Sequence, residues 1–360
     1  MTATEEPAAR SVIGIGIAAS ALEEGGSDAA LRRAVHEDVI EALSVHGTLV
    51  FTSTEQLARF VATVRTLPSS LAKAWETVLS SKRVKVQIRD PEQERGLSEV
   101  LDPAELDSRL APDIQLVLLE ADQAELLGVP DDEFSARTPS GLVEIGRINT
   151  AGRTTALLAA RSVLEAPLRE GVNREVEWAQ RFEPLAASAS PIVVYDKFVG
   201  QQVIRRYIYD QAHSGDGLTW FLGRVSMKPG RRVRVITSVT DFIDRGRRFD
   251  EGTAARAFDL LMLPMWERQL RLDLVLVPER TRAAAGQAAS KFGHDRHIRF
   301  GDRAALALGV GLQAFAQGTL TETTTVARLP IADARAREER AVKAALRPPE
   351  QGWLARPLRV

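Results

Sequence analysis

The chain has 360 residues, a net charge of −1 at pH 7 and no cysteine. A nearly neutral chain has no overall basic field to attract nucleic acid or anionic lipid, so any contact with a polyanion must be local. The lack of cysteine excludes disulfides, thiolate metal sites and cysteine nucleophiles. The N-terminus lacks the pattern of a signal peptide, and no apolar run approaches the roughly 18 residues of a membrane span. We therefore expect a cytoplasmic protein with no membrane partner.

Residues 1–150 alternate between strand-like and helix-like patterns, which predicts an α/β domain. Asp28 stands where it can cap a first helix, with Leu31, Val35 and Val39 on its apolar face, and Thr54 begins a second helix. The predicted strands of this domain are Val12–Ile17, Thr48–Phe51, Val84–Ile88, Ile114–Leu119 and Leu142–Ile148.

Gly14, Gly16 and Ala19 match the spacing of a dinucleotide-binding motif. However, the two glycines lie inside the apolar run, whereas a dinucleotide site needs them in the turn that follows the strand. The pattern therefore favours close packing between strands. We predict no cofactor.

Acidic residues follow two of these strands, at Asp90 and at Glu120 and Asp122. Carboxylates at strand ends can hold magnesium for phosphodiester hydrolysis, as in PIN-like nucleases. No acid follows the first strand, where such a fold would need one, and Asp and Glu are common in loops. The sequence favours ordinary loop acids and no metal site, and leaves the magnesium hypothesis as the alternative.

Residues 151–190 are predicted to be a helical connector, residues 191–325 a second domain, and residues 326–360 a charged helix and tail. The second domain has strand-like runs separated by helices, with charges confined to the strand ends, which is typical of an α/β sandwich with a mixed sheet. Its predicted strands include Pro191–Phe198, Arg232–Ser238 and Arg271–Val277.

The stretch from Gly293 to Phe300 holds two of the five histidines. In a strand, His294 and Arg296 would share one face while His297 would lie on the other. A guanidinium offers paired donors to phosphate oxygens, and a neutral imidazole can attack phosphorus or carry a proton. The pair therefore predicts phosphate chemistry, with a structural role for His297.

With these features, residues 191–318 resemble the phospholipase D-like superfamily, especially its divergent single-copy members. The features are Tyr195-Asp196-Lys197, the strand Arg232–Thr237, His294-Asp295-Arg296 and Gly309-Val310-Gly311. The superfamily motif H-x-K-x-x-x-x-D supplies a histidine nucleophile, a lysine that holds phosphate and an orienting aspartate. His294 matches the motif, Arg296 replaces the lysine, and Asp302 lies one residue late. The resemblance implies that these three residues are catalytic.

Three further residues are candidates for phosphate binding. Asp196 and Lys197 follow a strand, where ligands of α/β sheets usually bind, and Arg234 belongs to a locally basic run. Catalytic superfamily members use two motifs, and this chain has one, so a complete site implies a homodimer.

Two functions remain open from the sequence. The first is a metal-independent phosphodiesterase, specifically a nuclease, and by analogy one that acts in defence against foreign genetic elements. The second is a non-catalytic phospholipase D-like module that binds nucleic acid or a protein partner.

Overall fold

The protein is an α/β protein that divides into two compact units, residues 1–164 and 165–360. The computed structural model describes residues 9–24, 28–80, 84–89, 97–110, 113–209, 216–238, 243–244, 247–248, 253, 256–260, 269–277 and 296–343. The division falls inside the predicted connector. The first helix of the predicted connector packs Leu157 and Ala160 into the core of the first unit, so that helix belongs to the first unit.

The first unit is built on a six-stranded sheet with the order β3-β2-β1-β4-β6-β5. Adjacent strands are parallel from β3 to β6 in this order, and β5 pairs with β6 as an antiparallel edge strand. The strands are β1 (Ile13–Ile17), β2 (Gly47–Phe51), β3 (Lys85–Ile88), β4 (Leu116–Leu119), β5 (Ser135–Arg137) and β6 (Glu144–Arg147). All five predicted strands are present, and β5 is an addition that its short, polar sequence did not indicate.

Six helices accompany this sheet. They are α1 (Ala29–His46), α2 (Thr54–Thr66), α3 (Ser69–Ser80), α4 (Pro103–Leu110), α5 (Ala121–Leu126) and α6 (Thr155–Glu165). The side chain of Asp28 caps α1 by accepting hydrogen bonds from the backbone N–H groups of Ala30 and Leu31. Val35 and Val39 are buried as predicted, but Leu31 is 56% exposed because it lies in the first turn.

Gly14 and Gly16 lie within β1, so the strand-packing interpretation is the one the structure supports. A Cβ atom on Gly14 would overlap the carbonyl oxygen of Asp113. The backbone N–H of Gly14 also donates to the side-chain oxygen of Gln115 at 2.6 Å. A side chain at this position would force apart the backbone segments at the start of β1 and β4.

The second unit contains a mixed six-stranded sheet with the order β11-β8-β7-β12-β13-β14. Strands β11, β8 and β7 are parallel, whereas β12, β13 and β14 continue the sheet with antiparallel pairing. These strands are β7 (Ile192–Tyr195), β8 (Arg232–Ser238), β11 (Arg271–Val277), β12 (His297–Phe300), β13 (Ala304–Leu308) and β14 (Val326–Leu329). A separate antiparallel pair consists of β9 (Ile243–Asp244) and β10 (Arg247–Arg248).

Among the described residues, the helices of this unit include α7 (Arg174–Glu177), α8 (Glu183–Ala186), α9 (Val199–Ile208), α10 (Gly217–Val225) and α11 (Ile331–Lys343). A π-helical turn, Trp178–Phe182, joins α7 to α8. The sequence placed the end of this domain at residue 325, but β14 pairs with β13 and α11 packs on the sheet. Residues 326–343 are therefore part of the second unit.

A buried ionic network holds α11 on the sheet. Glu338 of α11 accepts two hydrogen bonds from Arg299, at 2.8 and 2.6 Å, and lies 3.2 Å from His297 Nε2. The ring of His297 stacks on Tyr195 with a centroid distance of 4.8 Å. Burial alone would raise the pKa of Glu338, but the hydrogen bonds and charges of Arg299 and His297 lower it overall. His297 thus has the structural role that its strand face predicted.

No helix in the described part of the chain is long and apolar enough to cross a membrane.

We predict that Glu338→Gln destabilises the protein by about 3 kcal/mol at pH 7, because it leaves Arg299 buried without its counter-charge. Since the pKa of Glu338 is lowered on folding, its contribution is complete above the ordinary value of 4.5 and is lost as the pH falls below it. Urea unfolding at pH 7 and pH 4 should show the difference between variant and wild type shrinking at the lower pH. Glu339→Gln, on the exposed face of the same helix, is the control. Equal stability of Glu338→Gln and wild type at pH 7 would contradict the role of this network.

Candidate phosphate-binding site

The candidate site lies at one edge of the second sheet, where β7 ends and β12 begins. These two strands are antiparallel, so the end of one and the start of the other meet at the same edge. Strand β7 is also where the parallel half of the sheet meets the antiparallel half. Ligands of open α/β sheets commonly bind at the carboxyl ends of strands, near the point where the order of the strands in the sheet reverses.

Asp196 follows β7 and is 3% exposed. Its Oδ1 accepts a hydrogen bond from the backbone N–H of Phe198 at 2.9 Å, and its Oδ2 accepts one from that of Leu312 at 3.2 Å. Burial raises the pKa of Asp196, and these hydrogen bonds together with the charge of Arg296 oppose that rise. Both oxygens of Asp196 thus accept hydrogen bonds from backbone groups, and its predicted contact with phosphate stays a prediction.

Arg296 immediately precedes β12. Its Nη1 donates to the carbonyl oxygen of Gly309 at 3.0 Å, and its guanidinium lies over the ring of Phe198, 4.7 Å from the centroid. Its Nε is buried and has no hydrogen-bond partner among the residues that the structure describes. The ammonium group of Lys197 lies 5.5 Å from the centroid of the same ring. Two cations therefore lie against one half-buried aromatic ring.

The end of β8 fixes the backbone around Lys197. The carbonyl oxygen of Lys197 accepts hydrogen bonds from Thr237 Oγ1 at 3.2 Å and from the backbone N–H of Ser238 at 3.3 Å. Thr237 Oγ1 in turn accepts from the backbone N–H of Gly200 at 2.9 Å. These hydrogen bonds fix the backbone of Lys197 at the end of β7.

Gly311 allows Asp196 and Arg296 to lie side by side. Its φ of +70° is in the left-handed region that favours glycine. A Cβ atom here would overlap Asp196 Oδ2 and would lie 2.7 Å from Cδ of Arg296. The two side chains therefore flank the same backbone atom, and no larger residue fits between them.

Two predicted site residues lie elsewhere. Asp302 is in the turn after β12, one strand length of roughly 13 Å from Arg296, and it pairs with Arg335. The family motif places Asp302 with His294 and Arg296 by spacing alone, and β12 ends at Phe300, two residues before Asp302. Arg234 pairs with Asp273 at 2.6 Å and shares a strand face with Ile236, which packs toward α11.

His294 lies outside the described residues, as does Asp90. Within the described part of the stretch, the predicted alternation is confirmed: Ile298 and Phe300 lie in the core, while His297 contacts Glu338. The sequence did not single out Phe198 or Leu312. Asp-Lys-Phe at a strand end was a usable signal for Phe198, whereas the backbone N–H of Leu312 carries no sequence signal.

One acid of the first unit, Glu24, has structural contacts. Glu24 accepts hydrogen bonds from the backbone N–H of Ala121 at 3.1 Å and from Asn149 Nδ2 at 2.9 Å. Burial, together with the charges of Glu120 and Asp122, raises its pKa. Among the residues that the structure describes, no group of three or more histidine, aspartate or glutamate side chains is placed to hold a metal ion.

Neither the models of known protein families nor the curated protein sequences match this chain. The phospholipase D-like resemblance therefore depends on the sequence motifs alone.

We predict that Gly311→Ala destabilises the protein by roughly 2 kcal/mol, because it combines an unfavourable φ with overlap of the Asp196 carboxylate. Thermal unfolding measures the change. Gly318→Ala, where a Cβ atom meets nothing within 4 Å, should stay close to wild type. If the two variants were equally stable, the close packing of Asp196 and Arg296 around Gly311 would be wrong.

Proposed function

We propose that the second unit binds a phosphodiester of nucleic acid at the edge where β7 ends and β12 begins, and hydrolyses it without a metal ion. The observation that carries this proposal is the placement of both Lys197 and Arg296 against the ring of Phe198. Arg296 contributes a planar fork of donors and Lys197 a point charge, the two forms in which proteins commonly bind phosphate.

The charge balance of this edge favours an anion. The acid beside the two cations is Asp196, whose oxygens face backbone N–H groups. Its negative charge is therefore partly compensated by the protein itself. The cations also lie in a partly desolvated position against an aromatic ring, where electrostatic attraction to phosphate is stronger than in bulk water.

His294 is the proposed nucleophile, because it precedes Arg296 by two residues and matches the superfamily motif. An imidazole nitrogen would form a bond to phosphorus as the bond to the leaving oxygen breaks, and water would then hydrolyse the phosphohistidine. Protonation of the leaving oxygen needs a second acid. A second copy of the chain would supply one, so a homodimer is part of the proposal.

Nucleic acid is the proposed substrate because phosphodiesters are its repeating unit and an aromatic ring beside the cations suits its bases. By fold-level analogy alone, we retain a role in defence against foreign genetic elements and a cytoplasmic location.

The position of Asp302 favours a second candidate, a non-catalytic module that binds the same phosphate. In the superfamily motif the aspartate orients the histidine, and here it lies at the opposite end of β12. A binding module predicts salt-sensitive association with nucleic acid without turnover. Multiple turnovers on any phosphodiester would exclude it.

We predict that the wild-type protein cleaves single-stranded DNA in EDTA and that Arg296→Ala lowers kcat/KM about 100-fold, because the variant loses the guanidinium that stabilises the charge developing on phosphate. Steady-state cleavage of labelled DNA measures this change. His294→Ala should abolish turnover while binding persists.

The matched control is Asp302→Asn, which removes a charge at the far end of the same strand. It should leave kcat/KM within about twofold of wild type, since the contacts of Asp302 with described residues are with Arg335 and Arg299, away from Lys197 and Arg296. Cleavage that needed magnesium and survived His294→Ala would refute the proposal and redirect attention to the acids of the first unit.

A further inference from the structure

Asp196 has a second neighbour besides the backbone groups that it binds. Asp196 Oδ2 and Cδ of Arg296 both lie against Gly311. The carboxylate is 3% exposed, and hydrogen bonds from Phe198 and Leu312 hold both of its oxygens. The carboxyl group of Asp196 is thus held in place beside the side chain of Arg296.

Hydrogen bonds alone orient Arg296 only weakly. Among the described residues, its guanidinium donates to one backbone carbonyl, that of Gly309, and its Nε has no acceptor. The ring of Phe198 supports one face of the guanidinium but leaves it free to rotate in that plane. A nearby fixed charge in a low-dielectric setting can select one orientation.

We propose that Asp196 is the positioning residue of this site, holding Arg296 in the orientation that binds phosphate. It takes the place that the superfamily motif assigns to an aspartate after the histidine, which here is Asp302. The phosphate part of this inference rests on the proposed function.

A positioning role and a purely electrostatic role of Asp196 predict opposite changes in anion binding when its charge is removed. Removing a negative charge next to a phosphate site would strengthen anion binding if charge alone mattered. If Asp196 positions Arg296, removing its charge weakens binding although the site becomes more positive. A purely structural role would lower stability without acting through Arg296.

The test is a double-mutant cycle with Asp196→Asn and Arg296→Ala in the full chain. The probe is a short fluorescein-labelled single-stranded DNA, titrated in EDTA at fixed salt with His294→Ala as the background so that the probe stays intact. We expect Asp196→Asn to weaken binding about 10-fold when Arg296 is present and to have no further effect when Arg296 is alanine. Tighter binding, or an equal loss in both backgrounds, would overturn the proposal.

Asp216→Asn is the matched control. Asp216 is also a buried aspartate that accepts a backbone N–H, that of Thr219, and it pairs with Arg206 at 2.6 Å, but it caps α10 and does not contact Arg296. We expect it to lower the thermal stability without the Arg296-dependent loss of DNA binding.

A second readout separates this inference from the proposed function. The ¹H–¹⁵N signal of Arg296 Nε is assigned by its loss in Arg296→Ala. This signal should be that of a rigid group in the wild-type chain and that of a mobile group in Asp196→Asn. If wild type binds no DNA, the proposed function fails while this signal still decides the positioning role. An Arg296 signal that is equally rigid in both proteins would refute that role.

Discussion

The candidate site depends on the burial of one carboxylate, that of Asp196, at the end of β7. Its two oxygens bind the backbone at the start of α9 and at Leu312, so the end of β7, the start of α9 and the segment after β13 are tied together. The backbone N–H groups that bind Asp196 partly offset the charge of its carboxylate. Arg296 and Lys197 therefore lie beside this carboxylate and keep their positive charge available to a ligand. The positive charge at this edge of the sheet therefore depends on the buried position of the Asp196 carboxylate.

Much of the fold could be predicted from the sequence because burial imposes periodicity. The apolar runs at Ile192–Tyr195 and Arg271–Val277 bury one or both faces, and both are strands in the structure. Short polar elements such as Ser135–Arg137 were missed, since their pairing is decided by a distant neighbour and not by their own composition. The edge strand Val326–Leu329 was missed for the same reason.

The site was predicted only in part. Strand-end chemistry singled out Lys197 and strand alternation singled out Arg296, because both rules are local. Their roles at phosphate stay predictions. A spacing motif placed Asp302 with them, but spacing does not specify where a strand turns, and β12 ends two residues before Asp302. The partners that shape the site, the backbone N–H of Leu312 and the left-handed Gly311, depend on tertiary packing.

The central claim is that Lys197 and Arg296 form one anion-binding edge. A crystal structure of the protein soaked with tungstate, a tetrahedral oxyanion that mimics phosphate, tests it most directly. We expect the anion to accept hydrogen bonds from Arg296 and Lys197 beside Phe198. If tungstate occupied other sites at high occupancy and did not bind at this edge, the claim would be contradicted.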